Sequence, residues 1–274
     1  LGIAVIGAGR IGTMRARLAA QHPAVNFIAV SDLNRNAAQA LADKAGAQLV
    51  AASNREAIEH PSVNTVIVST SEHEHTEAVL MALALGKKVM VEKPIALKLE
   101  DADKILRALE KSSGSLHVGY SRRFKRRYML AKEQIVQGRL GQITGISARL
   151  YNSRAQVFAM LKRDPGATPV VDSLTYYIDF VNWWLPNNPV TEVWARGQGG
   201  VIRDAGYDCD DVTFAVLTSF VAYASWAAFV NKNYYVGASF NRDLISPFYS
   251  PCLAASCVPG SHPSTVITWW TISP

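Results

Sequence analysis

The sequence predicts an α/β fold, with a doubly wound parallel sheet in its N-terminal half and an open, mostly antiparallel sheet backed by helices in its C-terminal half. Three observations predict it. Short apolar runs alternate with helical patterns through the first 120 residues, the pattern changes after Tyr120, and strands dominate from Val190 onward. Strict strand–helix alternation requires right-handed crossovers and gives a parallel sheet covered on both faces. We therefore expect two domains, 1–120 and 121–274.

The elements of the first domain follow from its apolar runs. These runs are continuous rather than alternating, which is typical of parallel strands buried on both faces. The predicted strands are residues 3–6, 26–30, 63–69, 89–91 and 116–119. The predicted helices between them are residues 11–21, 36–45, 75–85 and 99–112.

The second domain begins with a basic helix, predicted at residues 128–137. Residues 142–151 alternate with a period of two, which predicts an antiparallel strand with one solvated face. Another helix is predicted at residues 172–185 and ends before Pro186. The strands that follow complete a helix-backed sheet.

The composition is that of a globular chain. Its 274 residues are 49% hydrophobic with a mean hydropathy of +0.06, which excludes a disordered chain, a collagen-like repeat and a disulfide miniprotein. The formal charge of +6 favours an anionic partner such as a dinucleotide, a phosphate or nucleic acid, without choosing among them. Three cysteines without CxxC spacing and the absence of a visible signal peptide predict a cytoplasmic protein.

The C-terminal region has an unusual composition. Residues 212–231 carry no charge, which is long enough for a membrane span, but their threonines, serines and β-branched residues favour strands. We therefore expect no membrane partner. Only three of the 50 charged residues fall in the last 63. Burial in a sheet, an oligomer interface or a truncated end would each account for this, and we assign no chemistry beyond about Val230.

A glycine-rich motif follows the first predicted strand and opens the first predicted helix. In GAGRIG at residues 7–12, Gly7 permits a tight turn, Gly9 lets backbone approach a pyrophosphate and Gly12 lets the helix pack on the strand. The phosphates would meet the helix N-terminus at Arg10 and Ile11. A glycine turn in a nucleotide-free fold is the alternative.

An acidic residue in the right place strengthens the dinucleotide interpretation. Asp32 follows the second strand, 20 residues after Gly12, where a carboxylate accepts both ribose hydroxyls of an adenosine. The same charge would repel the 2′-phosphate of NADP, so the sequence favours NAD. Arg35 is near enough in sequence to soften that preference.

A second candidate group comes directly after the strand at residues 89–91. Glu92, Lys93 and Pro94 stand at a carboxyl end of the parallel sheet, where ligands of such folds bind. A lysine there can reach a substrate oxygen. The alternative is an ordinary solvated lysine ahead of a proline that starts a helix.

Five segments together resemble one known family. They are GAGRIG at 7–12, VIVSTSEHEH at 66–75, ALALGKKVMVEKPIAL at 82–97, VGYSRRF at 118–124 and GRLGQITG at 138–145. With Asp32, they resemble the glucose-fructose oxidoreductase / inositol dehydrogenase / MocA (Gfo/Idh/MocA) family from residue 1 to about 215. The resemblance implies a Rossmann domain and an α/β domain whose open sheet often forms the interface of a homo-oligomer, a dimer or tetramer. It also implies NAD-dependent oxidation of a secondary alcohol on a polyol, sugar or cyclic diol.

The resemblance assigns roles in the first domain. It implies that Lys93 contacts the substrate hydroxyl and that Glu92 lies near the nicotinamide ribose. The bond before Pro94 is often cis in that family. Ser69, Thr70 and His75 belong to a loop that lines the cofactor; one departure is Ser71, where the family usually has a proline.

In the second domain the resemblance implies an Asp–His–Asp signature on one helix. Here it is Asp172, Tyr176 and Asp179, at spacings that share a helical face. A tyrosine, with an ordinary pKa near 10, accepts a proton at neutral pH only if a positive charge assists it, and Lys93 is expected to supply that charge. Asp172 would orient the tyrosine or substrate, while Asp179 and Arg123 would bind the substrate.

Alternatives remain at each of these positions. Tyr176 could be a core aromatic residue. The basic run 122–127 could be a nucleic-acid surface, but it is short and has no accompanying motif, so we expect a solvated helix start. The acidic run 208–211 could suggest a metal, but neighbours on a strand alternate faces, so we expect no metal. The rival function is a non-catalytic dinucleotide-binding sensor on the same fold.

Overall fold

The chain divides into two compact units, Leu1–Ser121 and Arg122–Pro274. The computed structural model describes residues 1–186, 188–219, 223–229 and 265–270. The α/β fold class predicted from the sequence is confirmed in both units.

The first unit is built on six parallel strands in the order β3-β2-β1-β4-β5-β6. The strands are β1 Gly2–Ile6, β2 Phe27–Ser31, β3 Leu49–Val50, β4 Thr65–Val68, β5 Lys88–Val91 and β6 Ser115–Val118. The helices are α1 Arg10–Ala20, α2 Arg35–Ala45, α3 Asn54–Glu59, α4 His75–Ala84 and α5 Leu99–Glu110. This order reverses at β1, and in doubly wound sheets ligands bind at that reversal, beyond the carboxyl ends of the strands.

Both faces of the β1 strand are buried, which explains its continuous apolar sequence. Ala4 and Ile6 pack into a cluster with residues of α3, α4 and α5. Ile3 and Val5 pack into a second cluster with residues of α1 and α2. Successive strand side chains alternate between faces, so a strand between two helix layers needs apolar residues at every position.

Two elements of this unit were not predicted, the short strand β3 and the helix α3. The helix begins after Ser53, whose hydroxyl accepts the Glu56 N–H at 3.1 Å. The Glu56 carboxylate in turn accepts the Ala52 N–H at 2.6 Å. A serine followed three residues later by glutamate is a helix-start pattern, so the sequence did carry a signal for α3.

The second unit combines helices with a five-stranded sheet in the order β11-β7-β10-β9-β8. Its strands are β7 Ile143–Tyr151, β8 Val190–Gln198, β9 Val212–Ser219, β10 Tyr223–Phe229 and β11 Thr265–Trp270. Its helices are α6 Arg126–Val136, α7 Arg154–Arg163, α8 Thr175–Trp184 and α9 Val201–Asp204.

The direction of pairing in this sheet differs from strand to strand. β9 is antiparallel to both β8 and β10, as expected for this half of the chain. The antiparallel prediction for β7 is wrong, because β7 runs parallel to both β10 and β11. An alternating pattern reports that one face of a strand is buried, but it does not encode the direction of the neighbouring strands.

The uncharged stretch at 212–231 folds into strands where it is described, at β9 and β10. Among the residues that the structure describes, no helix has the length and apolar character needed to cross a membrane. Residues 230–264 and 271–274, on which the expectations about the C-terminal end depend, lie outside the described residues.

Helix α8 carries much of the core of the second unit. Phe180 packs against Tyr128 of α6, with ring centroids 4.1 Å apart, and stacks on Trp184 at 5.3 Å. The predicted helix at 172–185 is only partly correct, because regular α-helix begins at Thr175 and a π-helical turn, Val170–Leu174, precedes it. Asp172 therefore lies in that wider turn rather than in the regular helix.

Candidate functional site

The glycine motif forms a tight connection between β1 and α1. Gly7 has a φ of +100°, a conformation that L side chains rarely adopt, and a Cβ there would lie 2.6 Å from the Ser69 carbonyl oxygen. A Cβ on Gly12 would lie 1.9 Å from the Gly7 carbonyl oxygen, so only glycine allows α1 to pack this closely. A Cβ on Gly9 would meet no protein atom within 4 Å. The space above Gly9 is therefore open to a ligand.

The start of α1 is suited to an anion. Its N-cap is Gly9, and no side chain caps the helix N-terminus. The first backbone N–H groups of a helix have no intrahelical acceptor, and together with the helix dipole they favour a phosphate. Arg10 and Ile11 form the first turn beside this open space, with Arg10 exposed and Ile11 half-buried.

Asp32 ties the glycine loop to the end of β2. Its Oδ2 accepts the Ala8 N–H at 2.6 Å, and its Oδ1 accepts the Asn34 N–H at 2.7 Å. Each carboxylate oxygen can accept a further hydrogen bond, and the side chain is only half-buried. The carboxylate is thus held in a fixed orientation with capacity left for ligand hydroxyls.

Ser69 adds a buried polar atom to this cradle. The residue is 8% exposed, and its hydroxyl has no hydrogen-bond partner among the described residues. Buried polar groups are nearly always hydrogen-bonded, so an orphaned hydroxyl beside a ligand cradle indicates a missing partner. Glycine loop, helix start, carboxylate and hydroxyl together fit the pyrophosphate and ribose of a dinucleotide.

Glu92, at the end of β5, is bound to Arg15 of α1. The Arg15 Nε donates to Glu92 Oε1 at 2.7 Å, and both side chains are largely buried. The carboxylate also lies against Gly119, where a Cβ would be 3.0 Å from Oε2. Sequence reasoning missed Arg15, although its position one turn after Gly12 places it on the same helix face.

The Lys93–Pro94 segment is joined to the loop after β4 through His75. The peptide bond before Pro94 is cis, and Lys93 is half-buried. The His75 ring is 1% exposed, with Nδ1 2.9 Å from the Pro94 carbonyl oxygen and Nε2 3.3 Å from that of Thr70. Burial lowers the pKa of His75 below its usual value, although these carbonyls and the nearby Glu72 and Glu92 oppose that effect. The imidazole is thus enclosed by protein and held neutral.

In the second unit, Tyr176 is half-buried against the core and covered by a cation. The Arg122 guanidinium carbon lies 4.1 Å from the centroid of the Tyr176 ring and 6.0 Å from that of Tyr177. Tyr177 is buried, with 3% exposure. Adjacent tyrosines therefore point to different surroundings, and Arg122, which the sequence analysis did not single out, is the cation stacked on Tyr176.

Asp172 ends a short chain of hydrogen bonds. The Ser173 hydroxyl donates to Asp172 Oδ2 at 2.9 Å, and it accepts from the Asn152 side-chain amide at 3.2 Å. Ser173 is buried and Asn152 directly follows β7. The chain fixes the orientation of the Asp172 carboxylate from two separate elements.

Arg123 and Asp179, both expected to bind substrate, bind each other. The Arg123 Nε donates to Asp179 Oδ2 at 2.8 Å, and a second guanidinium nitrogen bonds to Oδ1. The Asp179 side chain is 6% exposed, and the guanidinium also lies over the Trp183 ring at 5.6 Å. Within this unit the two side chains bind each other, which gives the pair a structural role.

The acidic run at 208–211 is committed to local bonds. Asp210 pairs with Arg203 at 2.7 Å, and the Asp211 carboxylate accepts the Ile202 N–H at 3.1 Å. Burial is the main cause that raises the pKa of the Cys209 thiol. Over the described ranges, no three histidine, cysteine or acidic side chains are grouped so as to hold a metal ion.

Three family models match the chain. Residues 1–120 match an oxidoreductase family with an NAD-binding Rossmann fold, and residues 128–235 match the GFO/IDH/MocA C-terminal domain. Residues 210–274 match a model described as the actinobacterial succinate dehydrogenase subunit SdhC, which overlaps the preceding model over 210–235. Within that overlap the described backbone is that of strands β9 and β10.

The relatives of known activity include inositol dehydrogenases. The chain is 28% identical over 228 residues to the myo-inositol 2-dehydrogenase of Thermotoga maritima, covering 80% of this chain and 64% of that protein. It is 30% identical over 140 residues to the scyllo-inositol 2-dehydrogenase (NAD(+)) of Bacillus subtilis, covering 51% of this chain and 41% of that protein. The crystal structure of a probable dehydrogenase from Thermotoga maritima is similar with a TM-score of 0.73 at 27% identity, covering 85% and 70%. The chain thus spans less than two thirds of the length of these curated relatives.

Proposed function

Because the chain belongs to the Gfo/Idh/MocA oxidoreductase family, we propose that it is an NAD-dependent dehydrogenase acting on a secondary alcohol of a polyol, sugar or cyclic diol. The observation that carries this proposal is the glycine cradle between β1 and α1, closed by Asp32. The inositol activities named for the relatives support a small polyhydroxylated substrate.

The first unit supplies the groups that would hold NAD. The backbone of Gly7, Gly9 and Gly12 leaves room for the pyrophosphate, and the start of α1 offers it N–H donors. Asp32 would accept the adenosine ribose hydroxyls. A carboxylate there repels a 2′-phosphate, which favours NAD over NADP.

The reaction divides among three residues of the chain. The chemistry that bound NAD would supply here is that of an acceptor for the hydride of the carbinol carbon. Tyr176 in its phenolate form would accept the hydroxyl proton, Lys93 would polarise the oxygen, and the hydrogen-bond chain through Ser173 keeps Asp172 oriented. The product is a ketone, and the proton leaves through the tyrosine.

Turnover with a panel of inositols, sugars and cyclic diols tests this function. We expect reduced-cofactor absorbance with NAD, and smaller kcat/KM with NADP. Tyr176→Phe should lower kcat by about 100-fold or more while NAD binding persists, because it removes the proton acceptor. Tyr207→Phe, in a separate hydrophobic cluster, is the matched control and should keep full activity.

The same experiment distinguishes the dehydrogenase from a non-catalytic dinucleotide-binding sensor. A wild-type protein that binds NAD but oxidises nothing in the panel would contradict the enzyme and leave the dinucleotide sensor. If the protein is an enzyme, Lys93→Met should reduce turnover. If it is a sensor, neither the wild type nor Lys93→Met turns over substrate, and only NAD affinity can be compared.

Assembly and location are further parts of the proposal. We propose a homo-oligomer, a dimer or tetramer, joined through the sheet of the second unit, where Val193 and Trp194 of β8 are 60% and 49% exposed. Light scattering behind size-exclusion chromatography would measure the mass, and a monomer at all concentrations would contradict it. We propose a cytoplasmic location because three cysteines without CxxC spacing are typical of a reducing compartment.

A further inference from the structure

His75 joins two loops at the edge of the parallel sheet. It is the first residue of α4 and follows the loop after β4, while Pro94 follows β5, the neighbouring strand. Its ring is 1% exposed, and each ring nitrogen faces a backbone carbonyl oxygen. A side chain enclosed in this way has little surface to offer a cofactor directly.

The two carbonyls compete for one proton. A neutral imidazole has one N–H donor and one nitrogen lone pair, so it can donate to only one of the two oxygens. The Nδ1 distance to the Pro94 oxygen is 2.9 Å, whereas the Nε2 distance to the Thr70 oxygen is 3.3 Å. The shorter distance matches a typical N–H···O bond, so geometry favours the proton on Nδ1.

We propose that His75 is a positioning residue whose Nδ1–H donates to the Pro94 carbonyl and thereby fixes the segment that presents Lys93. The inference rests on the proposed function, since it assigns the purpose of this hydrogen bond to the lysine next to Pro94. A displacement of about 1 Å in a catalytic group can cost about 100-fold in rate, so a buried hydrogen bond one residue from Lys93 can affect kcat strongly.

Two substitutions distinguish the two arms of the imidazole. In His75→Asn the side-chain amide nitrogen lies near the position of Nδ1 and can still donate to Pro94. In His75→Gln the amide nitrogen lies near the position of Nε2, toward Thr70. We expect the asparagine variant to keep most of the wild-type kcat and the glutamine variant to lose about tenfold or more, with NAD affinity nearly unchanged in both.

Two readouts do not depend on turnover. Nitrogen NMR of histidine-labelled protein, with the His75→Asn spectrum used for assignment, should show a pyrrole-type Nδ1 and a pyridine-type Nε2 for His75. Hydrogen exchange of residues 92–97 should be faster than in the wild type for the glutamine variant only. His73→Gln, at an exposed histidine two residues away, is the control and should change none of these quantities.

The outcomes are separable. A proton on Nε2, or faster exchange in the asparagine rather than the glutamine variant, would overturn the assignment. A parallel loss of NAD affinity in both variants would instead make His75 a cofactor ligand. If the wild type oxidises no substrate, the dehydrogenase proposal fails, while tautomer and exchange still decide whether His75 holds the segment.

Discussion

Arg123 and Asp179, two residues otherwise expected to bind ligand, form an ion pair in which Asp179 is buried and the Arg123 side chain is 37% exposed. Asp179 is 7% exposed, and both of its carboxylate oxygens accept hydrogen bonds from the guanidinium. Removing one partner of such a pair leaves a buried charge without compensation, which costs far more than the pair itself contributes. The sequence could place both residues near the signature helix but could not show that they face each other.

We predict that Arg123→Ala lowers the free energy of unfolding by about 1.5 kcal/mol, less than for a fully buried pair, because Asp179 is buried but Arg123 is partly exposed. Urea denaturation monitored by tryptophan fluorescence would measure the change. Arg126→Ala, at an exposed position on the same basic run, is the control and should lie within about 0.5 kcal/mol of the wild type. Equal stability of the two variants would contradict the structural role.

The buried His75 should also affect how stability depends on pH. The pKa of His75 in the folded protein is below the usual 6.5. As the pH falls below 6.5, the unfolded chain therefore binds a proton before the folded chain does. This contribution to stability is fully present above about pH 6.5 and is lost as the pH falls through the folded-state pKa. His75→Asn cannot take up that proton, so its stability should fall less steeply in acid, by up to about 1.4 kcal/mol per pH unit.

Denaturant titrations at several pH values between 7 and 5 would measure this difference. His73→Asn, which removes an exposed histidine, should retain the wild-type slope. Identical slopes for the wild type and His75→Asn would mean that the buried imidazole does not resist protonation.

At the scale of elements, the glycines of the first connection perform separable tasks. Gly12 allows α1 to pack on β1, whereas Gly9 faces open space. We predict that Gly12→Ala loses both thermal stability and NAD binding, because its Cβ would lie 1.9 Å from the Gly7 carbonyl oxygen. Gly9→Ala should keep the stability of the free protein and still lose NAD affinity by about tenfold or more, since its methyl group occupies the phosphate space.

Thermal unfolding and calorimetric titration with NAD would test the pair together. Gly46→Ala, at the left-handed C-cap of α2, serves as a control that strains the backbone away from the cradle. It should lower stability and leave NAD affinity in the remaining folded protein intact. Normal NAD affinity in Gly9→Ala would argue against the cradle.

Some elements escaped prediction although their signals were present. Helix α7 begins after Ser153, which forms a capping box with Gln156, and α3 begins after Ser53, which has a related pattern with Glu56. Helix α7 is as long as α4, which was predicted, so length alone does not explain the difference, and the caps carried the information about where both helices begin. The π-helical turn at Val170–Leu174 had no such signal, because a single inserted residue does not change the apolar pattern enough to detect.

At the scale of the whole molecule, local pattern predicted the first unit better than the second. Continuous apolar runs at β1, β2 and β4 sit between two helix layers, and only one sheet type fits them. The direction of β7 depends on partners more than 70 residues away, which its own alternation cannot specify. Residue roles such as the His75 bridge likewise depend on distant backbone carbonyls and became visible only with coordinates.

Among the described strands of the second unit, β8 lies at one edge of the sheet. Eight of its nine residues are exposed, and among the described strands it is hydrogen-bonded only to β9. Its attachment depends mainly on backbone bonds to β9, with Val190 packed against the aromatic core around Phe180, so we expect β8 to open at a lower free energy than that core. Local opening of β8 would leave the other strands of the sheet paired. It would also expose β9 as an unpaired edge strand to other chains.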